Sequence, residues 1–241
     1  MRWVVLLIGL LMALPAAGQG LTLTGVGTVA AGAGGGPVFA TWDSGTPQAV
    51  NWTFSNGNLT AACKATYCGV GSQGDVSSTN PVTPSTEVRK LYWEITPAFT
   101  PPATSFGVGI VSAEKLALND GLNGTGGIRW TADGNITADG FAGGNLGLWT
   151  TGQILSLAID FSAKLLWVRP GCAGQWNASG TANPATGTGG ASFTGAFTAP
   201  TTAFIGMSDG FNANANGATL NTGAGAGFAC TPIPSGFVRW Q

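Results

Sequence analysis

The chain has 241 residues, a length suited to one all-β domain of about 200–250 residues and without room for a second, catalytic one. Nine Lys and Arg against ten Asp and Glu leave a formal net charge of −1 with 8% of residues charged, so there is no basic field to neutralise phosphates and no nucleic-acid partner is expected. There is no histidine, which removes Ser-His-Asp and Cys-His mechanisms and histidine metal sites.

At the amino terminus, Arg2 precedes an apolar run from Trp3 to Leu14 and then Pro15-Ala16-Ala17-Gly18, the pattern of a secretory signal peptide cut after Gly18. About 12 apolar residues fall short of the roughly 20 that span a bilayer, and no later stretch is longer, so no stable membrane insertion is expected once the leader is gone. Residues 19–39 form a Gly/Ala-rich linker or edge segment, with Leu21-Thr22-Leu23-Thr24 as a short strand and Ala30 to Gly36 nearly all Ala and Gly. The folded domain is assigned to residues 40–241, where Trp42 and Trp52 are positioned to clamp the first strands.

Four cysteines, Cys63, Cys68, Cys172 and Cys230, suit an oxidising compartment. Three pairings are possible, and the favoured one joins Cys63 to Cys68 and Cys172 to Cys230. A zinc site would need C-x-x-C pairs or histidines, and the chain has neither. No metal or other cofactor is expected.

From Val50 onward short alternating runs are broken by Gly, Asn, Asp or Pro, the pattern of an antiparallel β-sandwich with little helix. Leu91, Trp93 and Ile95 point to one face and Tyr92, Glu94 and Thr96 to the other. In Ser105 to Val111 the bulky Phe106, Val108 and Ile110 share a face while glycines take the opposite one, which predicts a central strand with a close neighbour. Leu155, Leu157 and Ile159 alternate likewise, Asp160 to Lys164 turns the chain, and Leu165-Leu166-Trp167-Val168 returns, giving the clearest hairpin.

These segments, in this order, resemble a SPRY-type (B30.2-like) domain, a sandwich of the concanavalin A-like kind. Leu91-Tyr92-Trp93-Glu94-Ile95 looks like the family's early aromatic strand, and Phe106 to Ile110 like the glycine-containing strand after it. Ile128-Arg129-Trp130-Thr131-Ala132-Asp133-Gly134 is similar to the strand that carries an aromatic followed by Asp-Gly. Trp149 to Trp167 resembles the family's most recognisable hairpin, with Gln153 where an aspartate is common. Thr219 to Gly223, Phe228 and Pro234-Ser235-Gly236-Phe237 resemble its closing strand, with Thr222 where an aromatic is usual. Trp176-Asn177 with Asn183 to Gly190 looks like an insertion of SPRY-like domains from bacteriophage and bacterial surface proteins. The resemblance covers roughly residues 40–241.

The resemblance implies a non-catalytic recognition module, exported or virion-associated, with a cell-surface glycan or protein as its partner. Other virion proteins are the partners if the sandwich decorates a phage particle. A secreted glycan-active enzyme is disfavoured: the strand signature Glu-x-Asp-x-x-Glu is absent, Glu94 is the one strand glutamate of interest, and Asp160 sits where it fixes a turn. Calcium binding by Ser208 to Gly217 would have a single carboxylate, which is few for that ion. Recognition is expected in loops carried on the rigid sandwich, with Trp130 and Asp133, Trp176 and Asn177, and Asp209, Asn212 and Asn214 as ligand-binding candidates.

Overall fold

The computed structural model describes residues 38–46, 49–64, 74–98, 106–118, 122, 125–138, 145–197, 201–209 and 216–241. The proposed leader, nearly all of the 19–39 segment, Cys68, Asn212 and Asn214 lie outside the described residues. The strands in chain order are β1 (Trp52–Ser55), β2 (Thr60–Cys63), β3 (Gly74–Ser77), β4 (Lys90–Ala98), β5 (Phe106–Ser112), β6 (Gly127–Thr131) and β7 (Ile136–Ala138). Then come β8 (Leu155–Asp160), β9 (Leu165–Pro170), β10 (Ala191–Ser192), β11 (Ala203–Asp209), β12 (Gly217–Asn221) and β13 (Phe237–Arg239). One six-residue helix, α1 (Ala113–Leu118), is the longest helix among the described residues. No helix there is long and apolar enough to cross a membrane.

The strands form two sheets, one ordered β1-β2-β12-β4-β8-β9-β10 with β13 added beside β4, the other β3-β11-β5-β6-β7. All pairings are antiparallel except β13 with β4. Strand β5 lies in the middle of its sheet, as its apolar alternation predicts. Its Gly107 leaves room for a neighbour: a Cβ there would lie 2.4 Å from the Arg129 side chain on β6. The predicted hairpin is β8–β9, with Asp160 opposite Leu165 and the turn at residues 161–164. Asp160 Oδ1 accepts from Ala163 N at 2.9 Å, the turn-fixing role its position suggests.

The period-2 pattern builds the core. Leu91, Trp93 and Ile95 of β4, Leu155, Leu157 and Ile159 of β8, and Phe106, Val108 and Ile110 of β5 meet Ile128, Trp130, Ile205 and Met207 in one buried cluster. Each such side chain contributes on the order of 1.5–3 kcal/mol by leaving water.

Simple alternation would leave the outer face of the larger sheet to solvent. It is instead covered, because residues 171–190 and 223–236 fold back over it, and Tyr92, Ala158, Trp167 and Phe237 form a second buried cluster with Leu165, Trp176, Phe228 and Ile233 packed on it. Beneath this cover, Glu94 accepts hydrogen bonds from Tyr92 Oη (2.8 Å), Asn221 Nδ2 (2.9 Å) and the backbone N–H groups of Ala229 and Cys230 (both 2.8 Å). The strand glutamate weighed for catalysis thus anchors the carboxyl-terminal segment and is 1% exposed. Burial pushes the Tyr92 phenol well up, against the hydrogen bond with Ser156, and the Glu94 charge raises it further. A disulfide between Cys172 and Cys230 ties the two covering segments together. Cys63 is also disulfide-bonded.

Candidate functional site

A groove of about 340 Å³ opens at the end of the sandwich where β4 begins and β8 finishes. Three turns make its walls: residues 84–88 ahead of β4, the β8–β9 turn at Phe161, Ser162 and Lys164, and the segment after β10 that carries Phe193 and Phe197. The floor is a triad of phenylalanines, Phe161, Phe193 and Phe197, whose ring centroids lie 6.0–6.3 Å apart in edge-to-face contacts. Phe161 also meets Trp240, which packs on Trp93, so the floor is continuous with the main core.

Local chemistry fixes each wall. Thr86 and Glu87 donate their backbone N–H groups to Thr83 O, and Ser162 Oγ donates to Glu87 O at 3.2 Å, joining the first wall to the second. Lys164 takes the left-handed conformation (φ 55°) that closes a tight turn, and its carbonyl accepts from Phe193 N at 3.1 Å, joining the second wall to the third. Ala196 N in turn donates to Phe193 O. The groove is therefore preformed, and a ligand entering it has little wall-ordering entropy to overcome. Val88 stands at the rim with 81% of its surface exposed.

The rim carries its charges in pairs and one single. Glu87 meets Arg89 in a two-pronged contact, with Nε at 2.9 Å and a terminal nitrogen at 2.7 Å. That contact holds the Glu87 carboxyl below the usual carboxylate range despite partial burial. Asp160 lies 3.4 Å from Lys90. Lys164 is exposed and forms no salt bridge among the described residues.

The loops expected to carry recognition lie elsewhere. Residues 130–133 and Asp209 sit at the opposite end, where Thr131 pairs with Gly107 and Asp209 with Phe106 at the start of β5. Trp130 is fully buried against Trp149, so its indole is not presented to solvent: the alternation of β6 turns it into the core. Asp133 stays half-buried in its own turn, accepting from Thr131 Oγ1 and from the backbone and side chain of Asn135. Burial works against its charge, but those hydrogen bonds outweigh it and lower the carboxyl pKa.

Asn177 is buried in an internal role. In a left-handed conformation (φ 49°), its side-chain amide accepts from Val168 N at 2.8 Å and donates to the carbonyls of Leu166 (3.1 Å) and Gly189 (2.9 Å). The amide acts as one peptide unit of an extra strand along β9, closing an edge that would otherwise present unpaired backbone. Trp176 is half-buried with the Arg169 guanidinium 4.5 Å from its ring centre, so one indole face is already occupied.

Asp209 is fully buried, and both its oxygens accept from Asn216 Nδ2 at 3.1 Å. Burial pushes its carboxyl up to about 6, with Asn216 and the Arg129 charge opposing. Of the described candidates, Trp130, Asp133 and Asp209 lie at one end of the sandwich, whereas Trp176 and Asn177 lie in the cover beside β9. The groove is not legible from alternation because its walls come from three segments separated in sequence, residues 84–88, 161–164 and 193–197; its sequence signals are an aromatic inside a hairpin turn, Phe161, and the pair Phe193 and Phe197 in a glycine-rich stretch.

No family model and no curated protein matches the chain. Among solved structures, the SPRY domain of human HERC1 aligns with a TM-score of 0.50 at 13% identity, covering 75% of this chain and 94% of that one. The TRIM65 PSpry domain aligns at 0.47 and 14% identity over 76% of this chain and 92% of that one. A further human SPRY domain aligns at 0.46 and 13% identity over 71% and 94%. The fold is that of a SPRY-like β-sandwich.

Proposed function

We propose that the domain is a non-catalytic binding module, exported and disulfide-stapled, that docks a cell-surface partner at the end of its sandwich. The observation that carries this reading is the preformed groove with a phenylalanine floor. An apolar floor ringed by a few polar groups is the usual composition of a recognition site, and loops on a rigid sandwich are where such sites are commonly placed. Export rests on the signal-like leader and on cysteine usage. The absence of catalysis rests on carboxylates already committed to other tasks: Glu94 accepts hydrogen bonds from four donors and Asp160 fixes a turn and an ion pair.

A protein partner is favoured over a glycan because the three phenylalanines pack edge-to-face with one another and are nearly buried, leaving no broad ring face for a sugar to stack on. Parallel screening of the purified disulfide-bonded chain on a displayed random-peptide library and a glycan array tests this. Enrichment of peptides that is lost in Val88→Arg, a rim change at an exposed residue, is the expected result. Glycan hits that Val88→Arg leaves intact, with no peptide enriched, would overturn it.

A further inference from the structure

Resting on the groove as the binding site, we propose that its ligand is a polypeptide segment bearing a bulky apolar side chain next to an acidic residue, and that Lys164 is the group that selects the acid. The apolar half follows from the groove's carbon surface: Phe161, Phe193 and Phe197 show only narrow ring edges, 4%, 2% and 9% exposed, and Val88 at the rim, 81% exposed, supplies the larger apolar face. The hydroxyls of Thr86 and Ser162 donate within the walls, to Thr83 O (3.3 Å) and Glu87 O (3.2 Å), which leaves their oxygens to accept from the N–H groups of an extended ligand backbone.

The acidic half follows from the rim's charges. Glu87 is neutralised by Arg89 and Asp160 by Lys90, so neither carboxylate nor either of those cations is left to read a ligand. Among the described residues, Lys164 alone of the lining groups carries a charge with no ion-pair partner, and that charge is positive. It is also the residue whose backbone joins two of the walls, which places its side chain at a fixed point on the mouth although the ammonium itself remains free to move. A carboxylate beside the anchoring side chain would complement it, and a cation there would be repelled.

The test titrates the isotope-labelled full chain with three capped peptides, acetyl-Gly-Phe-Glu-amide, acetyl-Gly-Phe-Lys-amide and acetyl-Gly-Ser-Glu-amide, following backbone amide NMR shifts of Val88, Ser162 and Lys164. The Phe-Glu peptide is expected to bind about threefold more tightly than Phe-Lys, the size of one exposed charge pair, and the Ser-Glu peptide to leave the shifts unmoved. Lys164→Glu should reverse the order of the first two peptides; its exposed turn position keeps the change away from the core. Equal binding of Phe-Glu and Phe-Lys would overturn the charge reading while leaving the groove as a site. Shifts from no peptide at millimolar concentration would overturn the site itself.

Discussion

Single side chains here do structural work that their types would not announce. Asn177 satisfies three backbone groups with one amide, so Asn177→Ala strands a buried N–H and two carbonyls on and beside β9. Loss of those bonds should cost about 2–3 kcal/mol, and urea unfolding should show a lower midpoint with an unchanged slope. Trp176→Ala, which removes a half-exposed ring stacked on Arg169, should cost less in the same assay. Asp209 supplies a pH signature. Its carboxyl titrates near 6 when folded, above its ordinary value of 3.8, so the folded state holds the proton more tightly than the unfolded one. The stabilisation is therefore complete below about 4 and is lost as pH rises through 6, by an amount on the order of 3 kcal/mol. Asp209→Asn does not titrate there. Its stability relative to the natural chain should rise between pH 4 and 7, and parallel curves for the two proteins would show that the buried carboxyl does not behave this way.

At the level of elements, the segment over residues 223–236 has two anchors, the Glu94 carboxylate and the Cys172–Cys230 bond, and each holds what the other needs in place. The bridge spans 58 residues, and in the loop-entropy picture a closure of that length contributes about 4 kcal/mol. Glu94→Gln replaces one acceptor oxygen with a donor facing donors. Because Cys230 carries both the bridge and one N–H to Glu94, the two losses should not add: a double-mutant cycle with Glu94→Gln and Cys172→Ser should show coupling of about 1 kcal/mol or more. Additive effects would mean the two anchors act independently. The strands themselves were legible, since β4, β5, β8 and β9 read directly from alternation, and the resemblance read the order. The cover on the outer face was not. Tyr92 and Glu94 read as solvent-facing by period alone, and only the return of Phe228 and Phe237 over them, a contact between residues more than a hundred apart, buries them. Trp130 is buried for the complementary reason: although it lies near a turn, its place in the alternation of β6 points it into the core.

The whole molecule trades charge for hydrogen-bonded turns and aromatic contact. Its ten acidic and nine basic residues nearly cancel, and two ion pairs, both partly exposed, are formed among the described residues. With their cations 44% and 38% exposed, these pairs are open to screening by salt and contribute on the order of 1 kcal/mol each. The other side of the ledger is large and insensitive to moderate salt: an inter-sheet core containing Trp42, Trp93, Trp130 and Trp240, each fully buried. Global stability should then change by less than about 1 kcal/mol between roughly 0.02 and 0.5 M sodium chloride at neutral pH, measured by urea unfolding. Binding in the groove should behave oppositely. If Lys164 selects an acidic neighbour, affinity for the Phe-Glu peptide falls over the same salt range while affinity for an uncharged phenylalanine peptide does not, because screening acts on the single charge at the mouth and leaves the carbon floor alone. A marked salt dependence of folding would instead mean that long-range charge interactions, and not the neutral core, set the stability of the domain.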